Sequence, residues 1–301
     1  MAAADVQEIQ CKSLLNRVDI PHFPFRWTIN PYRGCRHACT YCYARPTHEF
    51  WGMDAGKEFE QRVFAKVNAP EVLRQELARP KWQGEAIAMG TASDPYEPAE
   101  AQYALTRRIL QVLAQFQNPV SITTKGVLVR RDVDVLQQLH GVAEAQVVFS
   151  VGTLDEKVWK QTEPGTPHPL ARLEAMQFLV ESGVPAGVMM APLLPGLSDG
   201  WESINTVVAA AAQHKARFLS ANLLFLKPGS KEWFMPFLRE AYPHLAPAYA
   251  KLYRRTYPDQ DYTQRVLRVV NEARRRCQLP MVTPPRQLQG AQGQLQLALS
   301  L

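Results

Sequence analysis

Three cysteines fall within eight positions, Cys35-Arg36-His37-Ala38-Cys39-Thr40-Tyr41-Cys42, in a chain with five cysteines in all. Thiols this close on one segment point to metal or redox chemistry before anything else. A [4Fe–4S] cube takes a thiolate at each corner, and three cysteines on one loop reach three of them. The fourth iron then stays open to a small ligand. The alternative for the same residues is a tetrahedral zinc site completed by His37, His48 or Cys11. Cys11 and Cys277 stand apart and read as bystanders, which leaves no ligand set for a second cluster.

The rest of the chain alternates between two hydrophobic periods. Apolar runs at 25–30, 86–91, 120–124, 146–152, 186–193 and 218–225 read as six strands. Helical spacing falls at 69–79, 100–116, 133–139, 170–181 and 202–214. Pro70 sits at the first turn of one such helix, and Ser182-Gly183 ends another. Strands alternating with helices imply parallel pairing through right-handed crossovers. The expected fold is therefore α/β, a partial (β/α)6 TIM-type barrel. Its boundaries are predicted at an N-terminal extension over 1–24, the barrel over 25–230 and a helical C-terminal extension over 231–280. A loose tail is expected over 281–301, where Pro284-Pro285 precede repeated glutamines.

Size and charge narrow the setting. A chain of 301 residues, 46% hydrophobic and 21% charged, buries a core without disulfide staples. The net charge of +6 favours acidic partners such as nucleic acid, although Arg130-Arg131, Arg254-Arg255 and Arg274-Arg275-Arg276 are only short clusters. Residues 1–10 are polar, and no run approaches the ~18 apolar residues of a membrane span. A cytoplasmic protein with reduced thiols is expected.

The CxxxCxxC spacing, with Tyr41 just before the third cysteine and the first predicted strand just before the loop, resembles the signature of radical S-adenosylmethionine (SAM) enzymes. The longer stretches Asn30-Pro31-Tyr32-Arg33-Gly34-Cys35 and Tyr41-Cys42-Tyr43-Ala44-Arg45 are similar to the branch related to spore photoproduct lyase, also called DNA repair photolyase-like. The likeness runs from about Ser13 to Leu279. It implies a [4Fe–4S] cluster on Cys35, Cys39 and Cys42, with SAM on the open iron. It also implies reductive cleavage of SAM to a 5′-deoxyadenosyl radical, and an electron donor such as flavodoxin or ferredoxin. The substrate is left open, with nucleic acid as one class.

Barrel active sites form at the C-terminal ends of strands, so the segments there carry the other candidates. After the second predicted strand come Thr91, Ser93 and Asp94, in a segment that resembles the family's binding site for the methionyl part of SAM. A hydroxyl and a carboxylate there suit an ammonium group, and a helix N-cap is the plainer use of the same residues. Lys125 follows the third strand, where the resemblance implies a contact to SAM. The resemblance also places Tyr41 near the adenine, while Tyr43 follows the cluster loop as a shield. Glu163, Thr166, His168 and Arg172 follow the fourth strand in a stiff Pro- and Gly-rich loop, and Asn222 and Lys227 follow the sixth. One departure stands out. Spore photoproduct lyase returns a hydrogen atom through a cysteine on the segment after its second strand, and this chain has Thr91 there. A hydroxyl is a poor hydrogen-atom donor, so thymine-dimer repair by that route does not carry over.

Overall fold

A computed structural model describes residues 5–19 and 25–285. Ten strands are present among them: β1 (Asp5–Ile9), β2 (Asn16–Arg17), β3 (Trp27–Ile29), β4 (Tyr32–Arg33), β5 (Arg62–Lys66), β6 (Ile87–Met89), β7 (Val120–Thr124), β8 (Ala145–Ser150), β9 (Ala186–Leu193) and β10 (Leu219–Leu223). The helices are α1 (Lys57–Gln61), α2 (Ala69–Leu77), α3 (Glu100–Tyr103), α4 (Leu105–Gln115), α5 (Val133–Val142), α6 (Glu156–Thr162), α7 (Pro169–Glu181), α8 (Trp201–Gln213), α9 (Ser230–Ala241), α10 (Ala246–Leu252) and α11 (Gln260–Arg276).

The main sheet runs β10-β9-β8-β7-β6-β3-β2. Its six strands from β3 to β10 pair in parallel, and β2 adds an antiparallel edge on β3. These six are the six strands expected from the sequence, and they form the partial barrel. Strand β8 is buried along its whole length, as parallel strands covered on both faces must be. Ile29, Met89, Ile122, Val147, Phe149 and Val188 pack with helix residues such as Ile109, Leu136 and Leu173 into one core. No helix among the described residues is long and apolar enough to cross a membrane.

Three features depart from the sequence reading. A second sheet, β1-β5-β4, joins the N-terminal extension to the barrel: β1 pairs in parallel with β5, and β4 pairs antiparallel to it. The expected helix over 100–116 is broken at Ala104, which takes a left-handed conformation (φ 48°). The break lets the Glu100 carboxylate accept the Thr106 N–H (2.9 Å) at the start of α4 and the Arg131 guanidinium (2.5 Å). The start of the expected tail is also held. Leu219 N donates to Pro280 O (2.9 Å), and Gln146 Nε2 donates to Thr283 O (2.9 Å). The rest of the tail, 286–301, and residues 1–4 and 20–24 of the N-terminal extension lie outside the described residues.

Glu100 is fully buried and also accepts the Tyr32 hydroxyl (2.5 Å), so it fixes the chain just before the cysteine loop. Removing one member of such a network leaves buried charge without a partner. Glu100→Ala is expected to lower the unfolding free energy by about 3–5 kcal/mol, measured by urea denaturation, and Glu100→Gln by less.

Candidate functional site

The cysteine loop leaves the C-terminal end of β3 by way of β4. Gly34 turns it with φ 76°, where a Cβ would stand 2.6 Å from Arg62 O and 2.9 Å from Phe59 O, so only glycine fits. Cys35 N then donates to Phe59 O (3.1 Å). The irregular backbone beyond needs partners that no helix or sheet supplies. Arg45 provides them from full burial: its guanidinium donates to Cys39 O (3.0 and 3.1 Å) and Gly56 O (2.8 Å). Glu60 balances its charge at 2.8 Å, and the Trp233 ring lies 4.7 Å away.

A second clamp comes from the loop after α6. Thr40 N donates to Thr162 O (2.9 Å), and Gly165 N donates to His37 O (3.1 Å). The Tyr41 hydroxyl donates to the Glu163 carboxylate. Glu163 is held in turn by Arg172 (2.5 Å), which is fully buried and also donates to Ser150 O at the end of β8 (2.9 Å). Burial pushes the Glu163 carboxyl up, but Arg172, Lys125 and the hydrogen bonds outweigh it and hold it below its ordinary range.

The third clamp is Asp94. Its carboxylate accepts from Lys125 N (2.7 Å), Thr124 Oγ1 (2.6 Å) and Tyr96 N (2.9 Å), and pairs with His37 Nδ1 (3.2 Å). Burial raises this carboxyl, but the His37 charge and these hydrogen bonds reverse the shift and hold it at about 2. Beside it, Arg36 pairs with the buried Glu97 (3.4 Å). Asn30, at the end of β3, joins the same rim: its Oδ1 accepts Ala92 N (2.8 Å) and its Nδ2 donates to Thr91 Oγ1 (3.2 Å). Ser93 Oγ donates to Tyr32 O (2.8 Å), and the Tyr43 hydroxyl donates to Thr91 O (2.5 Å).

Thus Cys35, Cys39, Cys42, Tyr41, Tyr43, Thr91, Ser93, Asp94 and Lys125 all meet at one end of the sheet. Cys35 and Cys39 are buried. Burial, then Asp94 and Glu97, pushes the Cys35 thiol well up, while the Asp94 backbone N–H donates to its sulfur. Burial raises Cys39 to about 12 even with Lys125 working the other way. Lys125 stands over the Tyr41 ring, 5.7 Å from its centroid. Its burial works against charge, yet Cys39 and Glu163 keep its ammonium above the ordinary lysine range. Among the described residues no carboxylate lies within 4 Å of this ammonium.

The donor set suits a multi-iron cluster. Three thiols share one loop, an amide already points at one sulfur, and a cation with no ion pair stands beside another. The two histidines of the zinc alternative have other partners: His37 pairs with Asp94, and His48 Nε2 lies 3.1 Å from Arg62 O. Among the described residues no three His, Cys, Asp or Glu side chains converge as ligands to a single ion. Other sequence candidates fall into plainer places. Thr166 Oγ1 lies 2.5 Å from Arg172, and His168 Nδ1 accepts the Leu170 N–H as the cap of α7. Asn222 is exposed on β10, and Lys227 lies over the Tyr43 ring. Arg45 was quoted in the sequence motif without a role, and its place as the loop's main support shows only in three dimensions.

A partial parallel barrel with a three-cysteine loop at its strand ends is the architecture of a cofactor-dependent radical enzyme. The chain belongs to the radical SAM superfamily, whose family model matches residues 29–207. It is 41% identical over 249 residues to an uncharacterized protein of Mycobacterium tuberculosis, covering 82% of this chain and 73% of that one. An uncharacterized protein of Methanocaldococcus jannaschii is 30% identical over 195 residues, covering 65% of this chain and 70% of that one. In fold the chain is similar to spore photoproduct lyase. One solved variant, with bound AdoMet and dinucleoside spore photoproduct, matches at a TM-score of 0.67 and 15% identity, covering 90% of this chain and 78% of that one.

The clamp at Gly165 is testable. A Cβ there would stand 2.0 Å from Arg36 O. Gly165→Ala is expected to push the cysteine loop aside and to reduce iron bound after anaerobic reconstitution by at least about half. Circular dichroism would show the barrel still folded.

Proposed function

We propose that Cys35, Cys39 and Cys42 hold a [4Fe–4S] cluster with one open iron, and that SAM binds there against Lys125 and the 91–94 rim. When bound, cluster and SAM together supply a 5′-deoxyadenosyl radical by reductive cleavage, for hydrogen abstraction from a substrate at the barrel mouth. The observation that carries this reading is the Lys125 ammonium. It is a charged group inside the site, it has no carboxylate of its own within 4 Å, and it faces Cys39.

The chain's own residues divide the work. Lys125 offers charge-assisted hydrogen bonds to the SAM carboxylate. The Ser93 hydroxyl donates to Tyr32 O and keeps its lone pairs for the SAM ammonium. Asp94 acts mainly as the anchor of the rim, because four donors of the chain already occupy it, and its charge reaches the ammonium through space. Thr91 binds rather than donates a hydrogen atom, since a hydroxyl is a poor hydrogen-atom donor, and its oxygen accepts from Asn30. Tyr41, fixed by Glu163, presents its ring beside Lys125 as the wall for the adenine. Tyr43 covers Cys42 from the solvent side. The electron comes from a protein donor such as flavodoxin or ferredoxin, in the cytoplasm, where thiols stay reduced.

Anaerobic reconstitution followed by electron paramagnetic resonance tests the whole reading. A reduced [4Fe–4S] signal is expected whose shape changes on adding SAM, with 5′-deoxyadenosine forming under dithionite. Each single Cys→Ala change at 35, 39 or 42 abolishes both. Lys125→Met keeps the cluster but weakens SAM binding about 10-fold or more, the loss of a charged hydrogen bond. A signal blind to SAM in the unaltered protein would overturn the proposal.

A further inference from the structure

The chain's positive charge is not spread over its surface. Residues 246–280 hold eight Lys or Arg against three Asp or Glu, and so carry +5 of the chain's +6. Of the other 26 lysines and arginines, ten reach a carboxylate within 4 Å. Among the described residues none of these eight does. This segment lies wholly outside residues 29–207, the part matched by the family model.

Three of these eight charges line a groove. A cavity of about 1080 Å³ opens between the loop at Pro195-Gly196, helix α10 and the segment leading into α11. Its floor is apolar and aromatic: Tyr249 donates to Pro195 O (2.8 Å), and Leu252 lies beside it. Its rim carries three cations, Lys251, Arg254 and Arg255, against one carboxylate, Asp259. Tyr257, 65% exposed, also lines it.

Tyr257 connects the groove to the reaction site. Its ring lies 5.5 Å from Phe225, and Phe225 lies 5.2 Å from Tyr43, which follows the third cluster cysteine. Lys227 stands over both inner rings, at 5.7 and 5.8 Å. The row is rigid: Leu226 N donates to Thr256 O (2.8 Å), and the Tyr253 hydroxyl donates to Leu224 O (2.9 Å). Three tilted rings with a lysine alongside thus run from the barrel mouth into a basic groove.

We propose that this row and groove bind a single-stranded nucleic acid and lead it to the barrel mouth. The assignment of the mouth as reaction site rests on the radical SAM reading above. Unpaired guanidinium groups match phosphates, and ring faces take bases irrespective of sequence. An acidic protein would satisfy the arginines but would leave the ring faces without planar partners.

The test is fluorescence anisotropy with labelled single strands of about 12 nucleotides, one DNA and one RNA of equal sequence, on the full-length chain. Binding is expected to weaken with salt with a log–log slope of about 2, as three phosphates at about 0.7 each require. Arg254→Ala/Arg255→Ala is expected to cut that slope by about 1.4. Tyr257→Ala weakens binding at least about 5-fold while leaving the slope unchanged. Lys215→Ala, whose lysine pairs with Glu181 far along the chain, changes neither. Whichever strand binds more tightly identifies the source. The triple Cys→Ala variant binds equally well, so failure of the cluster reading would leave this result intact. Absence of binding at 50 mM salt would overturn the proposal, as would binding indifferent to both groove variants. So would a polyglutamate peptide that binds as tightly and loses affinity in the same variants.

Discussion

The site depends on giving an irregular loop enough hydrogen-bond partners inside a protein. Residues 34–44, which carry the three thiols, have neither helix nor ladder to satisfy their backbone, and an unsatisfied buried amide costs as much as a lost hydrogen bond. Four ionic side chains answer this demand from three directions. Arg45 binds the carbonyl of Cys39 from below, Asp94 ties His37 to the end of β7, and the Glu163–Arg172 pair holds Tyr41 to the end of β8. Each anchor is a buried charge met by hydrogen-bond donors or by an opposite charge, which is the condition for keeping charge in the interior. The loop is thus tied to the ends of the strands around it, and held side chains are what a metal site needs.

The same rule divides the molecule electrostatically. Around the barrel ends nearly every buried ion has its partner: Arg107 and Arg131 share Asp132, and Arg36 takes Glu97. Among the described residues Lys125 stands inside the site with no carboxylate within 4 Å, and the eight lysines and arginines of residues 246–280 gather with none outside it. A buried charge is costly without an opposite one, and an exposed cluster of like charge draws anions, so both read as places for anionic ligands. One is small and enclosed, the other long and open.

Much of this was legible in sequence. The six barrel strands were marked by their apolar runs, and β7 and β9 were placed at their observed ends, Val120–Thr124 and Ala186–Leu193. The CxxxCxxC spacing marked the cysteine loop, because its three thiols are close in sequence. The second sheet was not legible. Strand β5 follows α1 with no turn residue between them, and its partner β1 lies more than fifty positions away. Nor was the break at Ala104, since alanine favours helix and only the claims of Thr106, Tyr32 and Arg131 on Glu100 impose it. Asp94 was read as a group for SAM; four donors from three separate segments make it first an anchor.

By itself, then, the sequence determined the alternation of strands and helices and the cluster loop, because periodicity and ligand spacing are short-range properties of the chain. Only the tertiary structure decided which charges are spent and which are free. Arg45, Arg172 and Arg254 look alike as residues, but two are buried against carboxylates, and the third is exposed at a groove with no carboxylate within 4 Å of it among the described residues. That difference comes from which distant segments the fold brings within 4 Å, and no local pattern carries it.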